Sequence, residues 1–359
     1  LALVKYQTRE MSIEGKIFIL TGAIIFCAVA GFILSRLAAR FVVFADRVSD
    51  RSSHRRPVSR AGGVIFLTLM LLALSLLWQL YGDVVSAPWW TLLLLAAFAT
   101  GMGLLDDVMG LSPLMKFLGQ ALIAVLAVIL IGPVLSLSLP LLGVVSLPSW
   151  LGLGLGVLWM IGFTNVFNFM DGLDGMGAGA GIAGGLALAL VFVLLGNIAG
   201  FSLALIMVAG LYGFLPVNVS GEGRPKIFMG DAGSHGLGVL LSGAVLAGQF
   251  PAVEGQALPL YFVPTLFLPF LLDAVVTFLR RAAQGEKLHQ AHKQHLYQRL
   301  QQSGLSHRRV SLYYALALIG SGAGAFCLLW LPEDLHWLVP VLVGGVLVLL
   351  GGFAQKRLL

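Results

Sequence analysis

The sequence predicts an all-α polytopic membrane protein, on three observations. Hydrophobic residues fill 58% of the 359 positions and charged ones only 11%, with a mean hydropathy of +0.95; a soluble domain carries about 25% charge. Apolar runs of about 20 residues, enough to cross a bilayer, recur from end to end. All but three of the 22 Lys and Arg residues fall in alternate connections between those runs, the asymmetry that orients spans. The 45 glycines do not oppose helices, because membrane spans tolerate Gly and use it for close approach.

About eleven transmembrane helices are expected, near 15–37, 61–81, 89–105, 114–131, 149–167, 177–195, 199–217, 234–250, 258–279, 310–331 and 336–353. In the connection 132–148, the alternation Leu-Ser-Leu-Ser-Leu predicts a short strand or interfacial turn. Placing the loop 38–60 in the cytoplasm leaves no Lys or Arg in any external loop, so the N-terminus is expected outside and the C-terminus cytoplasmic. The three remaining cations, Lys5, Arg9 and Lys16, are N-terminal. Residues 1–10 precede Met11, the expected start, and show no cleavable-signal pattern.

No segment outside the spans is large enough for a second domain. Residues 1–359 therefore read as one transmembrane domain, with 280–309 as a cytoplasmic histidine/arginine loop. Cys27 and Cys327 lie in apolar runs and read as core residues. The net charge of +6 is juxtamembrane, which argues for a bilayer partner and against nucleic acid.

The acids sort by side as the cations do. External connections hold scattered ones (Asp83, Glu254, Glu333, Asp334), whereas Asp106, Asp107, Asp171, Asp174 and Asp231 all arrive at inner loops. Ionisable groups at a membrane boundary are costly and mark function by default. In Asn168-Phe-Met-Asp171-Gly-Leu-Asp174-Gly175, the three polar residues share roughly one face if the segment stays helical. Oxygen ligands of this kind suit a hard cation such as Mg²⁺.

The other inner loops add complementary groups. Adjacent carboxylates at Asp106 and Asp107 repel unless a cation neutralises them, and Lys116 follows at the next helix start. Asp231 sits between glycines ahead of a helix, where backbone approaches a ligand closely and anions are favoured. Phe228 precedes it, as an interfacial anchor or a surface for stacking on a base. His54, Arg55 and Arg56 suit either a phosphate-rich ligand or anionic headgroups. His289, His292 and His295 form a stripe at helical spacing, with Arg299 beyond; with no Cys nearby they suit phosphate oxygens better than zinc. The chemistry that needs this mixture is phosphoryl transfer.

Asp106-Asp107, Asn168-x-x-Asp171-Gly-x-Asp174-Gly175, Phe228-Met-Gly-Asp231-Ala-Gly-Ser234 and the late histidine loop together resemble the polyprenyl-phosphate N-acetylhexosamine-1-phosphate transferases, the MraY/WecA-like superfamily. The resemblance spans nearly the whole chain in motif order. It implies a multi-pass enzyme of the bacterial inner membrane with its active site on the cytoplasmic side. Such an enzyme transfers a sugar 1-phosphate from a UDP-N-acetylhexosamine to undecaprenyl phosphate and releases UMP. Mg²⁺ is required, with Mn²⁺ as a substitute.

Carried over by position, Asn168 and Asp231 look like the metal ligands, Lys116 like the pyrophosphate lysine and Phe228 like the uracil-stacking aromatic. Asp106 and Asp107 match the paired acids where a base or nucleophile has been proposed. Asp171 and Asp174 would organise the nucleotide side, and His292 and His295 would serve the reaction. His54, Arg55, Arg56, His289 and Arg299 would bind substrate.

The spaced histidines, with Tyr297-Gln298-Arg299 following, look more like the WecA/WbpL-type initiators of O-antigen or related surface glycans than like MraY, whose histidines are consecutive. An MraY-type peptidoglycan enzyme stays the alternative, and a polytopic transporter the distant one. A transporter would place its ionisable residues near the midplane. Here only Asp273 lies within a span, expected to pair with Arg280 or to mark where the lipid phosphate rests. A homodimer is an open expectation.

Overall fold

The computed structural model describes residues 12–46, 57–81, 85–139, 143–221, 226–249, 257–287, 293–332 and 335–358. Its helices are α1 (Ile13–Phe41), α2 (Gly62–Tyr81), α3 (Ala87–Met109), α4 (Pro113–Ile131), α5 (Ser149–Met170), α6 (Met176–Leu194), α7 (Ile198–Asn218), α8 (Gly230–Ala247), α9 (Phe262–Leu266), α10 (Leu268–Ala283), α11 (Leu296–Gln302), α12 (His307–Cys327) and α13 (Leu338–Leu358). Among the described residues there are also two small antiparallel pairings: β1 (Ala45–Asp46) with β2 (Val58–Ser59), and the hairpin of β3 (Ser136–Leu139) with β4 (Gly143–Ser146). That hairpin is the strand expected from the Leu-Ser alternation.

The chain is a mostly helical polytopic membrane protein. Among the described residues, eight helices (α1 to α7 and α12) are long and apolar enough to cross a membrane. Every expected span coincides with a helix, but three fall outside that set. α8 is diluted by Gly, Ser, His and Asp; α13 offers a shorter apolar stretch; the segment 258–279 breaks at Phe267 into α9 and α10. Pro269, which has no N–H and restarts the helix in its first turn, accounts for the break.

α8 is the axis of the bundle, buried from Ala232 to Ala247. Its small residues permit that. A methyl on Gly238 would stand 2.8 Å from the Thr164 Cα of α5, and one on Gly103 of α3 would collide with the Asp231 backbone. Such close approach is how apolar helices gain packing without a hydrophobic driving force. α1, by contrast, turns Phe18, Ile25, Phe26 and Val29 outward.

α10 is inverted. It exposes Val275, Val276, Phe278 and Leu279 and buries Asp273, Thr277 and Arg281, four residues apart on one face. Asp273 does not pair with Arg280, which bonds the Gln294 carbonyl at 2.8 Å. Instead its carboxylate accepts the Leu296 and Tyr297 amides at 2.8 and 3.3 Å and the Tyr314 hydroxyl at 2.6 Å. A buried acid on α10 thus satisfies the open N-terminus of α11.

Candidate active site

The site forms where the ends of α3, α4, α5 and α8 meet. α3 closes on Gly110 at φ 69, and the Leu111 amide donates to Asp106 Oδ1 at 2.8 Å. Ser112 caps α4, with Pro113 in its first turn. One turn on, Lys116 forms an ion pair with Asp106, and its Nζ lies 3.4 Å from Asp231 Oδ2.

Asp231 occupies the first turn of α8, where the helix dipole favours a carboxylate. Asn168, in the last turn of α5, donates to Asp231 Oδ1 at 3.0 Å and to Ser234 Oγ at 2.8 Å. Asp107 adjoins the cluster: its Oδ2 accepts the Ala232 amide at 3.1 Å and its Oδ1 lies 3.6 Å from Arg60. Gly230 makes this possible at φ 74, where any Cβ would meet the Asp107 carboxylate.

The cluster therefore gathers three carboxylates and an amide around one ammonium. Lys116 bridges two of those carboxylates, as a compact cation does. Among the described residues no three His, Cys, Asp or Glu side chains group as a metal cage. The Asp231 carboxylate and the Asn168 amide, 3.0 Å apart, fit Mg²⁺, which binds through one or two carboxylates and keeps its remaining positions for water and substrate phosphate.

The two later acids stand apart. α5 stops at Met170, so Asn168, Asp171 and Asp174 do not share one helical face. Gly175, at φ 80, opens α6, and Tyr297 packs on Gly172 while its hydroxyl donates to the Phe169 carbonyl at 2.9 Å. Asp174 turns away to Lys226, with His307 Nδ1 at 3.3 Å. Burial opposes its charge, but those two partners outweigh burial and hold the carboxyl below its usual range. Lys226 also lies over the Phe228 ring, 5.8 Å from its centroid.

Asp171, just beyond α5, accepts the Gly177 amide at 3.0 Å. Burial pushes its carboxyl up to about 8 against that bond, and Asp231 and Asp174 add repulsion. The folded pKa is raised, so the stability this group contributes is complete below about pH 4 and lost as pH rises towards 8. Asp171→Asn keeps an acceptor without the charge. The variant should match the parent near pH 4 and out-melt it by a few degrees at pH 8, at roughly 2–4 °C per kcal/mol. Thermal unfolding in detergent across that range measures the gap.

Chain segments far apart in sequence hold the residues of these loops in place. The Phe228 amide bonds Ser59 O at 2.7 Å, and the Gly62 and Gly63 amides bond Phe228 O and Met229 O at 3.1 and 2.8 Å. Asn218 Oδ1 accepts the Gly175 amide at 2.6 Å while its amide donates to Ile227 O at 2.9 Å, tying both acidic loops together. Sequence reasoning missed this role for Asn218, and those of Asp273 and Tyr297. For Asn218 and Asp273 the available signal was a polar residue at the end of, or within, an apolar run; Tyr297, in the polar histidine stretch, gave none.

A groove of about 870 Å³ runs from the cluster along α4, α5 and α10. Lys116, Asn168, Arg281 and His295 line it, as do Phe117 and Phe278. His295 is the N-cap of α11 rather than part of a helical stripe, and its Nδ1 lies 3.4 Å from Asp273. Arg299 lies in the last turn of α11. His54, Arg55, Arg56, His289 and His292 lie outside the described residues.

Residues 89–249 match the family described as Glycosyl transferase family 4. Over 88% of its length the chain is 33% identical to the decaprenyl-phosphate N-acetylglucosaminephosphotransferase of Mycobacterium leprae, covering 84% of that protein. It is 31% identical, over 80% of its length, to the probable undecaprenyl-phosphate N-acetylglucosaminyl 1-phosphate transferase of Bacillus subtilis, covering 78% of it. A phospho-N-acetylmuramoyl-pentapeptide-transferase of Listeria monocytogenes is 31% identical over 49% of the chain and 57% of its own length.

Proposed function

The chain belongs to the polyprenyl-phosphate hexosamine-1-phosphate transferase superfamily, and we propose that it transfers an N-acetylhexosamine 1-phosphate from a UDP-sugar to undecaprenyl phosphate, releasing UMP, as the initiating step of O-antigen or a related surface glycan. The observation that carries this is the convergence of Asp106, Lys116, Asn168 and Asp231, with Lys116 and Asn168 opening on a groove whose wall includes Phe117, Val166, Phe169 and Phe278 as well as Arg281 and His295. An isoprenoid tail needs such apolar walls, and its phosphate needs the cations. The N-acetylglucosamine enzymes align over more of the chain than the muramoyl-pentapeptide enzyme does, which favours the smaller sugar.

Asp231 and Asn168 would hold Mg²⁺, or Mn²⁺ in its place; such an ion neutralises pyrophosphate oxygens when bound. Lys116 serves the same charge from the other side. Phe228, with Lys226 above it, offers the nucleobase a face, and Asp174 lies beside them. His295 and Arg281 stand along the groove for the lipid phosphate. That phosphate, mostly dianionic at neutral pH with a second pKa near 6, attacks the sugar-proximal phosphorus. A P–O bond forms there, the bridging P–O bond breaks, and UMP leaves with that electron pair.

Asp106 and Asp107 are each committed to a backbone amide and a cation, which supports direct attack over a covalent aspartyl intermediate. The reading places these residues on the cytoplasmic side of an inner membrane, in an eleven-span chain with N-terminus out and C-terminus in. A panel of UDP-N-acetylhexosamines and UDP-MurNAc-pentapeptide with undecaprenyl phosphate tests the substrate. Radiolabel should enter organic-extractable lipid from an N-acetylhexosamine donor. Labelling from the pentapeptide donor alone would assign the chain to peptidoglycan instead.

A further inference from the structure

One helical turn deeper than Lys116, Asn168 and Asp231, the same three helices carry a second set of polar residues. Gln120 lies four residues after Lys116 on α4, Asn165 three before Asn168 on α5, and His235 four after Asp231 on α8. They form one chain of hydrogen bonds. Asn165 Nδ2 donates to Gln120 Oε1 at 2.7 Å, Gln120 Nε2 meets His235 Nε2 at 2.9 Å, and His235 Nδ1 meets the Asp231 carbonyl at 2.8 Å. His235 and Gln120 are buried, and all three residues line the groove.

The direction of donation follows from chemistry. A carbonyl only accepts, so Nδ1 carries the proton and Nε2 accepts from the Gln120 amide. That leaves the Gln120 oxygen to accept from Asn165. Reversing any member would set two donors or two acceptors face to face. In apolar surroundings this polarity makes the register of three helices all-or-none, because a slip leaves buried polar groups unpaired.

We infer that His235, Gln120 and Asn165 are positioning residues, a second tier that sets the rotation of α4, α5 and α8 so that Asn168 and Asp231 converge on one divalent cation with Lys116 beside them. The inference rests on the reading of Asn168 and Asp231 as the ligands of that cation.

The test uses the full-length protein in detergent with Mn²⁺ as probe, its binding read by electron paramagnetic resonance without substrate. Gln120→Leu and His235→Leu should each weaken Mn²⁺ binding about 10- to 100-fold, the usual cost of removing a group that orients a ligand. The double variant should be no weaker than either single one, since the chain is broken once in each case. Ser202→Ala, which removes an unrelated buried bond to Trp78 of 2.8 Å, should lower the thermal midpoint yet leave Mn²⁺ affinity intact.

If Gln120→Leu does not fold, Asn165→Ser breaks the same chain at its groove end and should show the same loss. Unchanged Mn²⁺ affinity in the tier variants, or losses that add in the double variant, would overturn the inference. A parent protein that binds Mn²⁺ no better than Asp231→Asn would overturn the ligand assignment and this inference with it.

Discussion

Replacing Asp231 with Asn should cut UMP release on the order of 10²–10³-fold, the scale on which losing one preorganised charge-stabilising group is felt, while the protein stays folded. Asp231 is where the cluster meets: Asn168 donates to one oxygen, Lys116 approaches the other, and the first turn of α8 supplies its dipole. Asn keeps the shape and loses the charge that a divalent cation needs. The thermal midpoint should fall only modestly: relief of repulsion on Asp106 and Asp107 offsets part of the loss, but the folded site holds the Asp231 carboxyl down at about 2 despite burial and so favours its charge. Turnover is therefore expected to fall far more than the thermal midpoint does. An Asp231→Asn variant keeping more than a tenth of parental turnover would contradict the site assignment.

Lys116→Met should cost more stability and as much activity. Asp106 is buried and relies on Lys116 for its ion pair, with the Leu111 amide as its other partner. Because Asp106 is buried but Lys116 is partly exposed, removal of the lysine should cost about 1–3 kcal/mol, the range for leaving a buried polar group short of a partner. A second change, Asp106→Asn, should restore most of the lost thermal midpoint, since a neutral amide oxygen still accepts from Leu111. It should not restore turnover, because the ammonium that faces the pyrophosphate is gone. A double-mutant cycle in thermal unfolding, run beside a UMP-release assay, separates the two effects. If turnover returned with stability, Lys116 would be a structural residue only.

Much of the site was legible because its residues are polar in an apolar chain. Asp106, Asp107, Lys116, Asn168 and Asp231 stand out against their surroundings, and the structure does bring them together. What could not be read was direction. Spacing alone suggested that Asn168, Asp171 and Asp174 share a face, but α5 ends at Met170 and sends Asp174 to Lys226 and His307. The histidine spacing suggested a helical stripe, whereas α11 begins only after His295, held by Asp273 from another helix.

α8 shows the same limit in the fold. Its Gly, Ser and His content weakens the hydropathy by which spans are recognised, yet that content is what lets it sit at the centre of the bundle. The tier formed by Gln120, Asn165 and His235 was invisible for a related reason. Each residue is unremarkable in its own helix, and only packing makes them neighbours.

The most direct test of the account follows the phosphorus. With UDP-N-acetylglucosamine labelled at the sugar-proximal phosphorus, undecaprenyl phosphate and Mg²⁺, the purified protein should move the label into organic-extractable lipid. One UMP should appear per lipid labelled, and chelation of the metal should stop both. Label left in water as UDP or free sugar phosphate, or transfer undiminished after the metal is removed, would contradict it.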